Sequence, residues 1–140
     1  MRSRHLAIAE HLFTQSYPSL QDPKILVSVL QNLLDAIEEG ITERLEIARE
    51  QKKIPAYSTT LNGKLTAFKL HLSRDLTINP VDFMMISELQ ELLDQHKHAP
   101  TEFRRRADFI IADNDFTLHK ISPEKTKTYI ERTKSFLSRL

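Results

Sequence analysis

The chain contains no cysteine and no tryptophan, and it has only two glycines in 140 residues. The absence of cysteine excludes disulfide bonds, thiolate catalysis and cysteine-ligated zinc. The shortage of glycine disfavours a turn-rich β-barrel, because many tight turns need the positive φ that glycine adopts easily. Apolar runs are only a few residues long, so we expect no membrane span. The first residues lack the apolar segment of a secretory signal, and we therefore expect a cytoplasmic protein.

Charge is distributed unevenly along the chain. Residues 1–95 carry 10 Lys and Arg against 13 Asp and Glu, whereas residues 96–140 carry 10 against 6. Three of the six histidines also lie in the second segment, where protonation toward pH 6 would add positive charge. The sequence therefore predicts that an anionic partner binds the C-terminal third.

Three helix starts are marked by a short polar side chain followed by proline: Asp22-Pro23, Asn79-Pro80 and Ser122-Pro123. The polar side chain can accept from a first-turn amide, and proline at the first helical position loses an N–H that had no partner. Asp82, three residues after Asn79, predicts a capping box. These signals indicate helices that begin near residues 22, 80 and 123.

The apolar spacing predicts a mainly α fold, an up-and-down bundle of about five helices in one domain over residues 1–140. The long central helix covers residues 22–48, and Gly40 within it predicts a bend or a close helix crossing. The first helix is expected to end before Tyr17-Pro18, because a residue that precedes proline avoids the helical region. The remaining helices are predicted at about residues 61–73, 80–95 and 123–139.

A small β-hairpin is predicted at about residues 108–121, with a two-residue turn at Asp113-Asn114. In that register Ala112 lies opposite Asp115. One face of the hairpin then carries four apolar side chains that we expect to pack on the bundle, because a two-stranded ribbon is not stable alone. These side chains are Phe109, Ile111, Phe116 and Leu118.

Basic residues concentrate around this hairpin. Guanidinium groups form bidentate bonds to phosphate, and their planes stack on bases. The sequence therefore predicts contact with RNA or with an acidic protein surface. The candidate binding residues are Lys97, Arg104, Arg105, Arg106, His119 and Lys120.

No catalytic residue, metal site or cofactor is predicted. His96, His98 and His119 could in principle hold zinc, but side chains two positions apart on a helix diverge. Asp108 and His119 are expected to form a cross-strand ion pair, since no Ser or Cys nucleophile is placed beside them.

A leading helix, a long second helix and further antiparallel helices resemble the layout of the HEPN superfamily. That superfamily includes RNA-cutting toxins and noncatalytic nucleotide-binding or adaptor members. Its nuclease branch carries an Arg followed, after about four to six residues, by a His. Arg4 and His11 have this spacing but lie on the first helix, whereas the family's motif belongs to a later one, so the resemblance implies the layout without a catalytic site.

A second resemblance covers nearly the whole chain. Asp22-Pro23-Lys24, Lys53-Ile54-Pro55 and the segment from His96 to Arg106 followed by Phe109-Ile110-Ile111 are similar to small helical proteins of archaea. That resemblance implies a stand-alone domain and no particular activity.

The leading interpretation is thus a noncatalytic helical domain that binds RNA or an acidic protein partner through its basic C-terminal surface. One alternative is a HEPN-like endoribonuclease or toxin–antitoxin component. A second is a protein-interaction module or homo-oligomeric scaffold, such as a homodimer, because a wide apolar stripe can also be covered by a second chain.

Overall fold

The computed structural model describes residues 3–140 and is mainly helical, with five helical segments and one small antiparallel sheet in this range. The first segment is α1 (Arg4–His11), which continues through a π-helical turn (Leu12–Ser16) into α2 (Tyr17–Leu20). The others are α3 (Lys24–Glu50), α4 (Leu61–His71), α5 (Pro80–His98) and α6 (Pro123–Ser138). The strands are β1 (Thr101–Arg105), β2 (Asp108–Ala112) and β3 (Leu118–Ile121). None of the helices within residues 3–140 combines the length and apolar character that crossing a bilayer requires.

The long central helix α3 is confirmed, and α1, α4, α5 and α6 all pack against it. Its buried side chains recur every three or four residues, as the amphipathic pattern predicted. Gly40 marks a close crossing with α6, because a Cβ at this position would lie 2.7 Å from Leu140 Cδ1 and 3.0 Å from Leu137 Cδ2.

The predicted end of the first helix before Tyr17 is wrong. Tyr17 has helical backbone angles (φ −62°, ψ −49°), and the helical path ends only at Gln21, which has φ 50°. The preceding turn is π-helical, and the Tyr17 amide donates to the carbonyl of Leu12, five residues back. The wider turn shifts the carbonyls that a proline ring would otherwise meet in a regular helix, so Pro18 is accommodated at the start of α2.

The helix starts follow the caps predicted from the sequence. Asn79 Oδ1 accepts from the Asp82 amide at 3.3 Å, and Asp82 Oδ2 accepts from the Asn79 amide at 3.0 Å, which completes the capping box. Ser122 Oγ accepts from the Lys125 amide at 3.1 Å. Asp22 Oδ1 accepts from the Lys24 amide at 3.0 Å, where α3 begins.

Asp82 also joins the start of α5 to the end of α6. Arg139 donates to both of its carboxylate oxygens, at 2.9 and 2.7 Å, and a further Arg139 N–H donates to the carbonyl of Thr77 at 3.2 Å. Burial of Asp82 would raise its pKa, but the hydrogen bonds from Arg139 and from the Asn79 amide outweigh this and hold the pKa below its usual value. The carboxylate is therefore ionised and paired at neutral pH.

The hairpin between β2 and β3 is present, but its predicted register is wrong by three residues. Ala112 lies opposite Leu118 instead of Asp115, so the connection is a five-residue loop, Asp113–Thr117. The reason lies in the Asp113 carboxylate, whose Oδ1 accepts from the amides of Asp115 and Thr117 at 2.9 and 3.0 Å. These bonds stabilise a longer loop that a pattern of apolar alternation does not reveal.

A third strand, β1, was not predicted. It pairs antiparallel with β2, so that the strand order is β1-β2-β3 with β2 in the centre. All five of its residues are exposed, and three of them are charged, so the sequence carries neither the apolar alternation nor the apolar run of a buried strand.

The register decides which apolar side chains reach the helices. Phe109, Ile111 and Ile121 belong to the hydrophobic core that the sheet shares with the bundle. Phe116 and Leu118, which were expected beside them, are instead 88% and 49% exposed. The expectation of a four-residue apolar face therefore holds for Phe109 and Ile111 alone.

Replacing Arg139 with alanine removes the charged partner of a buried carboxylate, so we expect the free energy of unfolding to fall by about 1–3 kcal/mol. Arg139→Lys keeps the charge but loses the bidentate geometry, so its free energy of unfolding should lie between those of the wild-type and alanine proteins. Urea unfolding followed by circular dichroism measures the difference. Equal stabilities of the wild-type and alanine proteins would contradict this role for Arg139.

Lowering the pH tests the same contact, because it protonates the Asp82 carboxylate. Because its folded pKa lies below the unfolded value of about 4, the carboxylate contributes stability above that pH, and the contribution is lost as the pH falls through the folded pKa. Between about pH 5 and pH 2, the wild-type protein should therefore lose more stability than Asp82→Asn. Parallel stability curves for the two proteins would show that Asp82 does not contribute in this way.

Candidate nucleic-acid interface

The sheet and the end of α5 carry all six candidate binding residues. Lys97 lies in the last turn of α5, Arg104 and Arg105 on β1, and Arg106 in the turn between β1 and β2. The other two, His119 and Lys120, lie on β3. The structure therefore gathers the six residues in one region, although not on one face.

Alternate residues of a strand point to opposite faces, and the core residues Phe109, Ile111 and Ile121 identify the face that lies on the helices. We call the opposite face the outer face. Its cross-strand neighbours form three rows: Thr101, Ala112 and Leu118; then Phe103, Ile110 and Lys120; then Arg105 and Asp108.

The outer face combines an aromatic ring with cations. Phe103 remains 38% exposed, and the Arg105 guanidinium lies 5.7 Å from the centre of its ring. Ile110, between Phe103 and Lys120 in the central row, is only 2% exposed although it lies outside the bundle core. Ala112, in the neighbouring row, is also buried, so the accessible part of the face is the Phe103 ring with its flanking cations. A flat, anionic ligand can lie on such a ring.

Arg104 points to the other side of β1 and supports the turn. Its Nε donates to the carbonyl of Arg106 at 3.0 Å. The Tyr17 hydroxyl donates to the carbonyl of Ala107 in the same turn at 3.3 Å, and burial raises the pKa of this hydroxyl above its usual value. Arg106 itself has φ 56°, a conformation that these two contacts help to fix.

Within residues 3–140, neither Arg105 nor Arg106 forms a salt bridge. Lys120 is close to one carboxylate, with 4.0 Å between its Nζ and Asp108 Oδ2. The contact replaces the expected ion pair between Asp108 and His119, which is wrong because β2 and β3 pair in a different register. Asp108 also lies directly across from Arg105, so this one carboxylate partly offsets the two cations of the outer face.

The three C-terminal histidines each pair with a different carboxylate. His96 hydrogen-bonds to Glu102, His98 Nδ1 lies 3.3 Å from Asp94 Oδ1, and His119 Nε2 lies 2.9 Å from Asp113 Oδ2. No group of three metal-ligating side chains occurs in the part of the chain that the structure describes. His119 therefore supports the hairpin loop through Asp113 and presents little free surface.

Asp113 organises the tip of the hairpin. Its Oδ2 bonds to His119 while its Oδ1 accepts from two loop amides, and its own amide donates to the carbonyl of Thr117 at 3.1 Å. The hydrogen bond from His119, joined by those from the loop amides, holds the pKa of Asp113 below its usual value. The loop that results presents Phe116 to solvent with φ 62°.

Sequence reasoning missed two aromatic residues of this region, Phe103 and Phe116. Phe103 stands among charged residues in a segment treated as a connection, and a lone aromatic there is the one signal that could have singled it out. Phe116 was assigned to the core because the assumed register turned it inward. Both positions follow from strand pairing and not from composition.

The pair suggested by the HEPN resemblance lies elsewhere. Arg4 and His11 both have exposed side chains on α1, seven residues or about 10 Å apart along the helix axis. No hydrogen bond joins these two side chains.

No family model, curated protein or solved structure matches the chain. Any inference about function therefore rests on the residues of this chain.

Asp113→Ala removes the acceptor of two loop amides, so we expect the amides of Asp115 and Thr117 to exchange faster with solvent, with little change in the helices. Asp115→Ala is the matched control, because it deletes a nearby carboxylate that accepts neither bond. Hydrogen exchange read by NMR distinguishes the two variants. Unchanged protection of Thr117 in Asp113→Ala would show that the carboxylate does not hold the loop.

Proposed function

We propose that the chain is a noncatalytic binding domain whose outer sheet face binds single-stranded RNA. The observation that carries this proposal is the Arg105 guanidinium 5.7 Å from the centre of the exposed Phe103 ring, on the sheet face opposite the bundle core. In this proposal the helices form an up-and-down bundle that serves as the scaffold for the sheet.

The exposed ring favours RNA over an acidic protein as the partner. A carboxylate-rich surface binds mainly to the cations of this face, and it offers no flat ring for the aromatic side chain to stack on. A nucleobase has a flat π-face that stacks on an aromatic ring, and its phosphate binds nearby guanidinium and ammonium groups. Phe103 with Arg105 and Lys120 supplies both kinds of contact.

The same geometry favours unpaired bases. In a duplex the faces of the bases are stacked on one another, and only their edges and the phosphates are accessible. A ring on a sheet can stack only on a base that is unstacked from its neighbours. We therefore expect single strands or loops to bind more tightly than a duplex of the same sequence.

Each candidate residue has a role in this proposal. Arg105, Arg106 and Lys120 contact phosphates, and Lys97 extends the cationic surface at the end of α5. Arg104 is a positioning residue that acts through the turn carbonyl of Arg106. His119 acts through Asp113 on the hairpin loop.

The test is fluorescence anisotropy with a labelled single-stranded RNA oligonucleotide of mixed sequence. Three phosphate contacts predict a salt slope near −2, so the affinity should fall about twenty-fold between 50 and 200 mM salt. Phe103→Leu keeps an apolar side chain but loses stacking, and it should weaken binding by about five-fold to about 150-fold, which corresponds to about 1–3 kcal/mol for one stacked base. Arg105→Ala should weaken binding and flatten the salt slope by about 0.7.

Lys53→Ala is the charge-matched control, because Lys53 is exposed in the connection after α3 and lies outside the sheet. It should leave the affinity unchanged. Equal losses for Lys53→Ala and Arg105→Ala, or wild-type binding by Phe103→Leu, would refute the interface. Cleavage of the RNA that is lost in His11→Ala would favour the endoribonuclease alternative, and binding of acidic peptides but not RNA would favour a protein partner.

A further inference from the structure

Beyond the face just described, the structure points to a second ring of the same site: we propose that Phe116 stacks on a base of the bound strand. The RNA would then run from Phe103 across β3 to the hairpin tip, and the site would require an unpaired run of at least three nucleotides. This inference rests on the proposed function, and it adds the minimum number of unpaired nucleotides that the site binds.

Phe116 is the most exposed large apolar side chain in residues 3–140, at 88%. Its φ of 62° is a conformation that bulky residues rarely adopt, since the side chain then meets its own backbone. Burial does not compensate for this cost, because the ring makes no contact with the core. An aromatic ring held out in water at a conformational cost is what a ligand-stacking residue requires.

The backbone that carries the ring is also held in place before any ligand arrives. The Phe116 amide donates to the carbonyl of Asp113 at 3.0 Å, and the residues on both sides of it donate to Asp113 Oδ1. A loop fixed in this way loses little conformational entropy on binding. The position of Phe116 is thus set by Asp113 and by the pairing of Asp113 with His119.

The surface between the two rings suits a nucleic-acid strand. Leu118 and Lys120 lie on the outer face of β3, and Lys120 is in the same row as Phe103. Neighbouring strands are about 5 Å apart, and Phe116 lies two residues beyond Leu118, so the hairpin tip is one to two strand spacings and about two rows from Phe103. Lys120 lies to one side of the direct line between the rings, where it can neutralise a phosphate of a strand that crosses to β3 and follows it to the tip.

The charge at the tip disfavours a lipid surface as the ligand of this ring. Asn114 and Asp115 precede Phe116 and are exposed, so inserting the ring into a bilayer would carry a carboxylate toward the headgroups. Asp115 also repels phosphate, so in this proposal the base stacks on Phe116 while the phosphates of the strand lie toward Lys120 and away from the tip. The single strand is therefore the better occupant.

The experiment compares Phe116→Leu and Phe103→Leu on oligouridylates of two, four, six and eight nucleotides, by competition with the labelled RNA. In the wild-type protein the affinity should rise steeply between two and four nucleotides. Phe116→Leu should weaken binding of the longer oligonucleotides by about five-fold or more and leave the dinucleotide unchanged, whereas Phe103→Leu should weaken all of them. Phe116→Trp keeps an aromatic ring and should bind like the wild-type protein.

Leu70→Ala is the matched control, since Leu70 is 74% exposed on α4 and lies away from the sheet. It should bind all lengths normally. If Phe103→Leu weakens binding and Phe116→Leu does not, or if Phe116→Leu and Phe116→Trp weaken it equally, the second ring is refuted and the proposed function stands. If the wild-type protein binds no RNA, the proposed function itself fails.

Discussion

The covered inner face of the three-stranded sheet is the constraint on which the interface depends. A sheet of three short strands is not stable in water unless one face is buried, and here Phe109, Ile111 and Ile121 bury that face in the core built around α3. Because alternate residues point to opposite faces, this single docking decides which side chains of β1 and β3 lie on the outer face. The helices support the sheet through this contact and through the turn held by Tyr17.

The same constraint separates three arginines that are adjacent in sequence. A run of basic residues suggests one patch, but a strand sends neighbouring side chains in opposite directions. Arg105 reaches the outer face, Arg104 bonds to a turn carbonyl, and Arg106 lies in the turn itself. The charge of the surface is therefore smaller than the sequence indicates, and its exposed aromatic rings matter correspondingly more.

Features of the fold that depend on neighbouring residues could be predicted from the sequence, whereas features that depend on contacts between segments could not. Helix starts at Asn79 and Ser122 depend on hydrogen bonds within one turn, and the central helix depends on a long periodic stripe, so all of them were predictable. The hairpin register depends on Asp113 bonding across its own loop, and β1 becomes a strand only because β2 lies beside it. The helical conformation of Tyr17 likewise depends on a π-helical turn that propensities do not anticipate. The candidate cations could be predicted from composition, whereas the exposure of Phe103 and Phe116 could be known only from the pairing of the strands.

The position of β1 at the margin of the sheet has a consequence for solubility. An edge strand presents unpaired amides and carbonyls along its free side, and such a row can recruit a strand from another molecule and start aggregation. Glu102, Arg104 and Arg105 place charge of both signs along this margin, which opposes the approach of a second β-strand. The charges of β1 thus also protect the folded protein from self-association through its sheet.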